Sequence, residues 1–215
     1  MARIAIVGGH GKVALYLERL LADAGPDTTA LIRNPGHADD VRAAGATPVV
    51  ADVEHLDADE LAQLLRGHDA LVWSGGAGGG NPDRTYAVDR DAAVRSMTAA
   101  QRAGVRRYVM VSYFGSRTDH GVPEDNSYFA YAEAKAAADA HLRGTDLDWT
   151  ILGPGRLTSD APTGRIDIGG DGADKGDVSR ADVAAVVAAV LFLPTTVGRT
   201  IEFDNGTVPI GDALG

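Results

Sequence analysis

The first two dozen residues limit this chain more than any other stretch. Arg3-Ile4-Ala5-Ile6-Val7 is a short apolar run, followed by Gly8-Gly9-His10-Gly11-Lys12-Val13-Ala14. Val13, Leu15, Leu17, Leu20 and Leu21 then recur at roughly helical spacing and run out at Gly25-Pro26. Strand, glycine turn and helix in that order give Gly9-x-Gly11-x-x-Ala14 the context that the dinucleotide fingerprint G-x-G-x-x-G/A requires. Glycine lets the backbone turn sharply off the strand and come close to a pyrophosphate, and the helix N-terminus offers it free N–H groups and a partial positive charge. Ala14 is small enough for the helix to pack on the strand. Gly8, Gly9, His10, Gly11, Lys12 and Val13 are therefore the candidate cofactor loop. Without the flanking strand and helix the same glycines would read as a tight turn only.

The same alternation continues along the chain. Apolar, β-branched runs at 28–32, 48–51, 70–73, 108–111 and 149–152 read as further strands. Helical patterns at 38–44, 59–65, 83–103 and 129–142 lie between them, most of them stopped by glycine. Strands alternating with helices predict an α/β fold, a Rossmann-like doubly wound parallel sheet with helices on both faces. From Arg156 the pattern loosens into a short strand at 165–168, a helix at 179–193 and a last strand at 200–203. These elements predict a small substrate-side lobe, about residues 156–215, over the C-terminal edge of the sheet. The glycine- and aspartate-rich run 169–176 lacks the spacing and closing glutamate of a calcium loop, so no metal is expected.

Composition narrows the function classes. A chain of 215 residues fits one domain with one sizeable core. Its net charge of −10 argues against a nucleic-acid or anionic-membrane surface, either of which needs a basic face. With no cysteine there is no disulfide, thiolate metal site or cysteine nucleophile. The N-terminus reads as a core strand, and no apolar run approaches membrane length. The expectation is a soluble cytoplasmic protein, monomer or homodimer, acting on a small molecule.

Two groups of residues carry the chemistry. Arg33 ends the second strand, about 20 residues past the glycine loop, where NAD binders place an acid on the ribose 2′-hydroxyl. An arginine suits a 2′-phosphate instead, which points to NADP(H), and Lys12 can add charge. Asp52 and Val53 follow the third strand, where the chain passes an adenine; Asp52 either bonds the exocyclic amine or caps the next helix. Ser74, Gly75 and Gly76 leave the fourth strand beside the cofactor, as a close approach to its ribose or as a hinge. The second group is Ser112, at the end of the fifth strand, with Tyr131 and Lys135. These last two are i and i+4 on a helix and share a face. An ammonium beside a phenol lowers its pKa, and such a tyrosine can protonate a carbonyl oxygen as hydride arrives, with Ser112 polarising the same oxygen. Tyr128, at the same helix start, competes with Tyr131, and Tyr113 follows Ser112; each reads equally as a core or surface aromatic.

The chain resembles the short-chain dehydrogenases/reductases of the atypical, NmrA-like branch and is similar to the NAD(P)H-binding flavin/biliverdin B-type reductase group. The likeness covers nearly all of it. It runs through Val7–Ala14, Leu31-Ile32-Arg33-Asn34-Pro35, Asp52-Val53, Tyr108–Ser112, Tyr131-Ala132-Glu133-Ala134-Lys135, Leu152–Leu157 and Ser179-Arg180-Ala181-Asp182-Val183-Ala184. It implies a Rossmann fold, NADP(H), contacts to the cofactor from Pro154 and Gly155, a lysine that holds the nicotinamide ribose, and a substrate stacked between Ser112 and the loops after strands five and six. The function this implies is NADPH-dependent reduction of a small carbonyl, quinone or flavin-like compound. The alternative is a regulatory protein that senses NADP(H) without turnover. A sugar-nucleotide epimerase shares the fold and the Y-x-x-x-K pair, but the region after Pro154 is short for a nucleotide-sugar domain.

Overall fold

The computed structural model describes residues 1–169 and 176–215, so most of the glycine- and aspartate-rich run expected at 169–176 lies outside the described residues. Its first half alternates β1 (Arg3–Val7), α1 (Lys12–Ala24), β2 (Asp27–Ile32), α2 (Ala38–Ala43), β3 (Thr47–Val50), α3 (Ala58–Leu65) and β4 (Ala70–Trp73). Next comes one long helical run: α4 (Pro82–Thr85), a π-helical stretch (Tyr86–Ala92) and α5 (Ala93–Ala103). β5 (Arg107–Val111), α6 (Phe129–Arg143) and β6 (Asp148–Pro154) complete the Rossmann part.

The sheet order β3-β2-β1-β4-β5-β6 is parallel throughout. Every strand in its middle is buried on both faces, so alternate residues serve two cores. Ala5, Val7, Leu71 and Trp73 point to the side of α3, α5 and α6, where Leu61, Leu65, Met97 and Leu142 meet them. Ile4, Ile6, Ala70 and Val72 point to the side of α1 and pack with Leu17, Leu21, Val183 and Val187. β1 lies between β2 and β4, and there the chain's winding reverses. That reversal opens a crevice beyond the strands' C-terminal ends.

The segment from Arg156 on, expected as a lobe over the sheet edge, is divided between several places. β7 (Arg156–Thr158), β8 (Arg165–Ile168), β9 (Asp177–Ser179), α7 (Arg180–Leu191), β10 (Arg199–Asn205), β11 (Val208–Pro209) and α8 (Ile210–Leu214) make it up. β10 joins β6 in parallel, and β8 and β11 continue the same sheet antiparallel, so the sheet is mostly rather than wholly parallel. α7 packs against the sheet face that α1 covers. Only β7 and β9 stand apart, as a two-stranded sheet. No helix among the described residues is long and apolar enough to cross a membrane.

Candidate functional site

The opening loop closes on the loop after β4. Gly8 turns with φ +79°, and a Cβ there would lie 2.7 Å from Gly75 Cα and from the Ser74 carbonyl oxygen. Only glycine fits that turn and that approach. Ser74 N donates to the Val7 carbonyl and Gly11 N to the Gly8 carbonyl, which fixes the crossing. Gly9 faces away from the crevice, and a Cβ on it would sit 2.5 Å from Ala30 Cβ. The glycine spacing that shapes the crevice is thus Gly8-x-x-Gly11. Gly11 caps α1 without a side-chain hydrogen bond, and no acidic residue stands in the helix's first turn. Its leading N–H groups are left for an anion.

A cavity of about 330 Å³ runs from this turn across the ends of β2 and β3. Gly8, His10, Gly11, Arg33, Asp52, Val53, Ser74, Gly75 and Gly76 all line it. His10 is held by a ring nitrogen 2.8 Å from Asp40 Oδ2 and by stacking on His37 at 3.6 Å between ring centroids. Arg33 is half exposed, its Nη1 lying 4.0 Å from Glu54 Oε2. The same Glu54 oxygen accepts a 3.1 Å hydrogen bond from Arg84 Nε, so two guanidinium groups converge on one carboxylate at the cavity wall. Asp52 caps no helix: its Oδ1 accepts from Glu54 N, its Oδ2 pairs with His55, and Asp57 makes the capping box of α3. Arg95 donates to the carbonyls of Val53, Glu54 and Leu56 and so pins this wall from behind.

The loop after β4 is fixed rather than hinged at Ala77. Ala77 N donates to Asp89 Oδ2 at 2.9 Å, and its carbonyl accepts from Arg84. Asp89 comes from the π-helical stretch and is 2% exposed. Burial raises its carboxyl pKa, against the opposing charges of Lys135 and Arg84 and the hydrogen bond from Ala77 N.

A second cavity, about 510 Å³, continues from the first through the shared wall of Gly11, Ser74, Gly75 and Gly76. Lys12, Val13, Asp89, Ser112, Tyr128, Tyr131, Lys135 and Leu157 line it. Ser112, Tyr131 and Lys135 are thus together, as the spacing predicted. Their electrostatics differ from the prediction. Lys135 Nζ donates to the Val111 carbonyl at 2.8 Å. Tyr131 has a raised pKa: burial dominates, and the neighbouring tyrosines and the Asp89 and Asp139 carboxylates push it the same way. The phenol is held protonated, not turned towards phenolate. Its ring lies 5.5 Å from that of Tyr113 and 5.2 Å from that of Tyr128, which makes an aromatic wall.

Pro154 and Gly155 line neither cavity. The Pro154 carbonyl accepts from Phe114 N, Gly155 N donates to the Phe203 carbonyl, and a Cβ on Gly155 would collide with Asp204. Two buried acids went unread in the sequence. Asp139 carried a signal, since it follows Lys135 by four residues on the Tyr131 face of α6. Asp89 had only a charge beside Val88 and Ala92. Among the described residues no cluster of acids and histidines is placed to hold a metal.

A model of NAD(P)H-binding proteins matches residues 8–194, which include every residue of the two cavities named above. The chain belongs to the NAD(P)H-binding family. An uncharacterised sugar epimerase of Bacillus subtilis, YhfK, is 33% identical over 99% of this chain and 98% of its own length. A Bacillus halodurans structure provisionally named an NAD-dependent epimerase/dehydratase superposes with a TM-score of 0.91 at 32% identity, covering 100% of this chain and 99% of that one. The anaerobilin reductase ChuY of Escherichia coli O157:H7 shares the fold, with a TM-score of 0.78 at 23% identity over 96% of this chain and 98% of that one. Within the NAD(P)H-binding family the chain sits with the epimerase- and reductase-like oxidoreductases, in keeping with the atypical short-chain dehydrogenase/reductase resemblance.

Proposed function

We propose that this member of the family is an NADPH-dependent reductase of a small carbonyl, quinone or flavin-like compound. One observation carries the reading. The two cavities share the Gly11 and Ser74–Gly76 wall, so a dinucleotide lying along the first presents its far end to Ser112, Tyr131 and Lys135 in the second. The residues fit such a ligand: glycine at position 8 lets the opening loop cross close against Gly75 where the two cavities meet, and α1 offers uncapped N–H groups to a pyrophosphate. Arg33 and Arg84 both line the first cavity, and a pair of guanidinium groups suits a 2′-phosphate, which supports NADPH over NADH.

When bound, NADPH supplies a hydride. The chain's own residues do the rest. Tyr131, a phenol that is protonated at neutral pH, donates a proton to the acceptor oxygen. Ser112 Oγ orients that oxygen, and Lys135 brings a buried positive charge to the second cavity's wall. Tyr128 and Tyr131, backed by Tyr113, offer a stacking surface to a flat acceptor. The test is consumption of NADPH, with NADH as control, against a panel of quinones, flavins and aldehydes. Turnover of none of them, with tight NADPH binding, refutes the reductase and supports a sensor.

A further inference from the structure

Asp139 lies on α6 one turn beyond Lys135, lines neither cavity, and is fully buried. Its Oδ2 accepts from Ser112 Oγ at 2.5 Å and from Ser116 Oγ at 2.6 Å. Its Oδ1 is buried without a hydrogen-bond partner. The charged groups facing it are Lys135 and Arg143 on its own helix. Tyr108 from β5, Tyr113 from the loop after it and Tyr131 from the start of α6 are the titratable groups around it. Burial holds its carboxyl above the usual range, against Lys135, the two serine hydroxyls and Arg143.

A serine hydroxyl carries one proton. While Ser112 donates it to an ionised Asp139, only lone pairs face the second cavity, and Ser112 cannot donate to a substrate oxygen. A protonated Asp139 has one proton to give: donated from Oδ2 to Ser112, it frees the Ser112 hydroxyl proton to turn towards the cavity, while Ser116 can go on donating to the carboxyl group. We propose that Asp139 is a positioning residue whose protonation decides whether Ser112 presents a hydrogen-bond donor to the substrate. This rests on the reductase reading.

Two measurements test it. In the cofactor-free protein, infrared difference spectroscopy between wild type and Asp139→Asn should isolate a protonated-carboxyl band, separate from those of Glu18 and Asp89, that persists above the ordinary carboxylate range. That band should be missing from Asp139→Asn and shifted in Ser112→Ala. With NADPH and an aldehyde, the wild-type kcat should fall over the pH interval in which that band disappears, without a matching change in KM for NADPH. An asparagine amide donates to the serine at every pH, so Asp139→Asn should lose that alkaline limb and overtake the wild type there. Ser112→Ala should lower kcat about 10²-fold, the worth of one aimed donor, and flatten the profile. An absent band, or an Asp139→Asn variant that keeps the limb, overturns the proposal. Should that variant fail to fold, a Ser112→Ala variant with the wild-type profile overturns it too. A wild type that reduces no carbonyl overturns the reductase reading and the Ser112 role with it, whereas a limb that does not track the band overturns the Asp139 role alone.

Discussion

Glu54 Oε2 accepts a 3.1 Å hydrogen bond from Arg84 Nε, and Arg33 Nη1 approaches the same oxygen to 4.0 Å. On the proposed NADPH reading, a 2′-phosphate here would meet two guanidinium groups and a carboxylate that already holds them, and affinity would be the balance of the two.

The arginine half of that balance is testable by charge reversal. Arg33→Asp should weaken NADPH binding by about 1.5–3 kcal/mol, the worth of charge-assisted hydrogen bonds, and affect NADH less. Glu54→Gln should shift preference the other way, towards NADPH. Fluorescence titration with both cofactors reads the result. Equal losses for the two cofactors in Arg33→Asp would remove Arg33 from the 2′-phosphate.

Gly8 and Gly11 separate turn formation from ligand space. Gly8→Ala places a methyl group 2.7 Å from Gly75 Cα at a φ of +79°, so it should destabilise the fold as well as block the crevice. Gly11 has an ordinary φ of −62°, with the Gly8 carbonyl 3.0 Å from the site of a Cβ. Gly11→Val should therefore lose cofactor binding far more completely than stability. Melting curves beside NADPH titrations tell the two apart. A Gly11→Val protein that binds normally would refute the anion role of α1.

Much of this was legible in the sequence because the Rossmann part is built from local patterns. β1 and α1 follow from an apolar run, a glycine turn and helical spacing, and Tyr131 and Lys135 meet because helices bring i and i+4 together. What stayed hidden depends on contacts between distant segments. Asp182 falls at the start of the helix expected at 179–193, yet it also accepts from Thr163 N and Gly164 N and so anchors the turn into β8. Gly155 read as a cofactor loop, and its need for glycine comes from Asp204 on β10. The pKa of Tyr131 depends on burial, and then on Tyr128, Asp89, Tyr113 and Asp139 around it, which no Y-x-x-x-K spacing can report.

Glu18 gives the fold a pH dependence unconnected with the site. It is fully buried in α1, neither carboxylate oxygen has a partner, and burial raises its pKa from 4.5 to about 8, with Arg19 opposing. The folded-state value exceeds the unfolded one, so no penalty exists below pH 4.5, and stability is lost as pH rises towards 8. By pH ~7 the loss is of order 3 kcal/mol. Glu18→Gln should raise Tm at neutral and alkaline pH, with the gap to wild type closing in acid. A gap that stays constant with pH would mean that Glu18 ionises freely in the folded protein.

Whether Tyr131 does chemistry depends on what the substrate needs. A carbonyl must receive a proton on oxygen as hydride reaches carbon, whereas a flavin or quinone can take its proton from water. Tyr131 lines the second cavity with Ser112 and Lys135, and burial keeps its phenol protonated. Tyr131→Phe keeps the ring against Tyr113 and Tyr128 and removes only the proton. It should lower turnover of an aldehyde by about 10²–10⁴-fold, the range for general acid catalysis, and leave NADPH affinity nearly unchanged. Lys135→Ala should damage both, because that buried ammonium is the largest opposing charge on both Asp89 and Asp139 and its loss disturbs the second cavity's wall. Full activity of Tyr131→Phe towards a quinone, beside a large loss towards an aldehyde, would assign hydride transfer to proximity and the proton to Tyr131. Full activity towards both would take Tyr131 out of the chemistry and leave it as part of the aromatic wall.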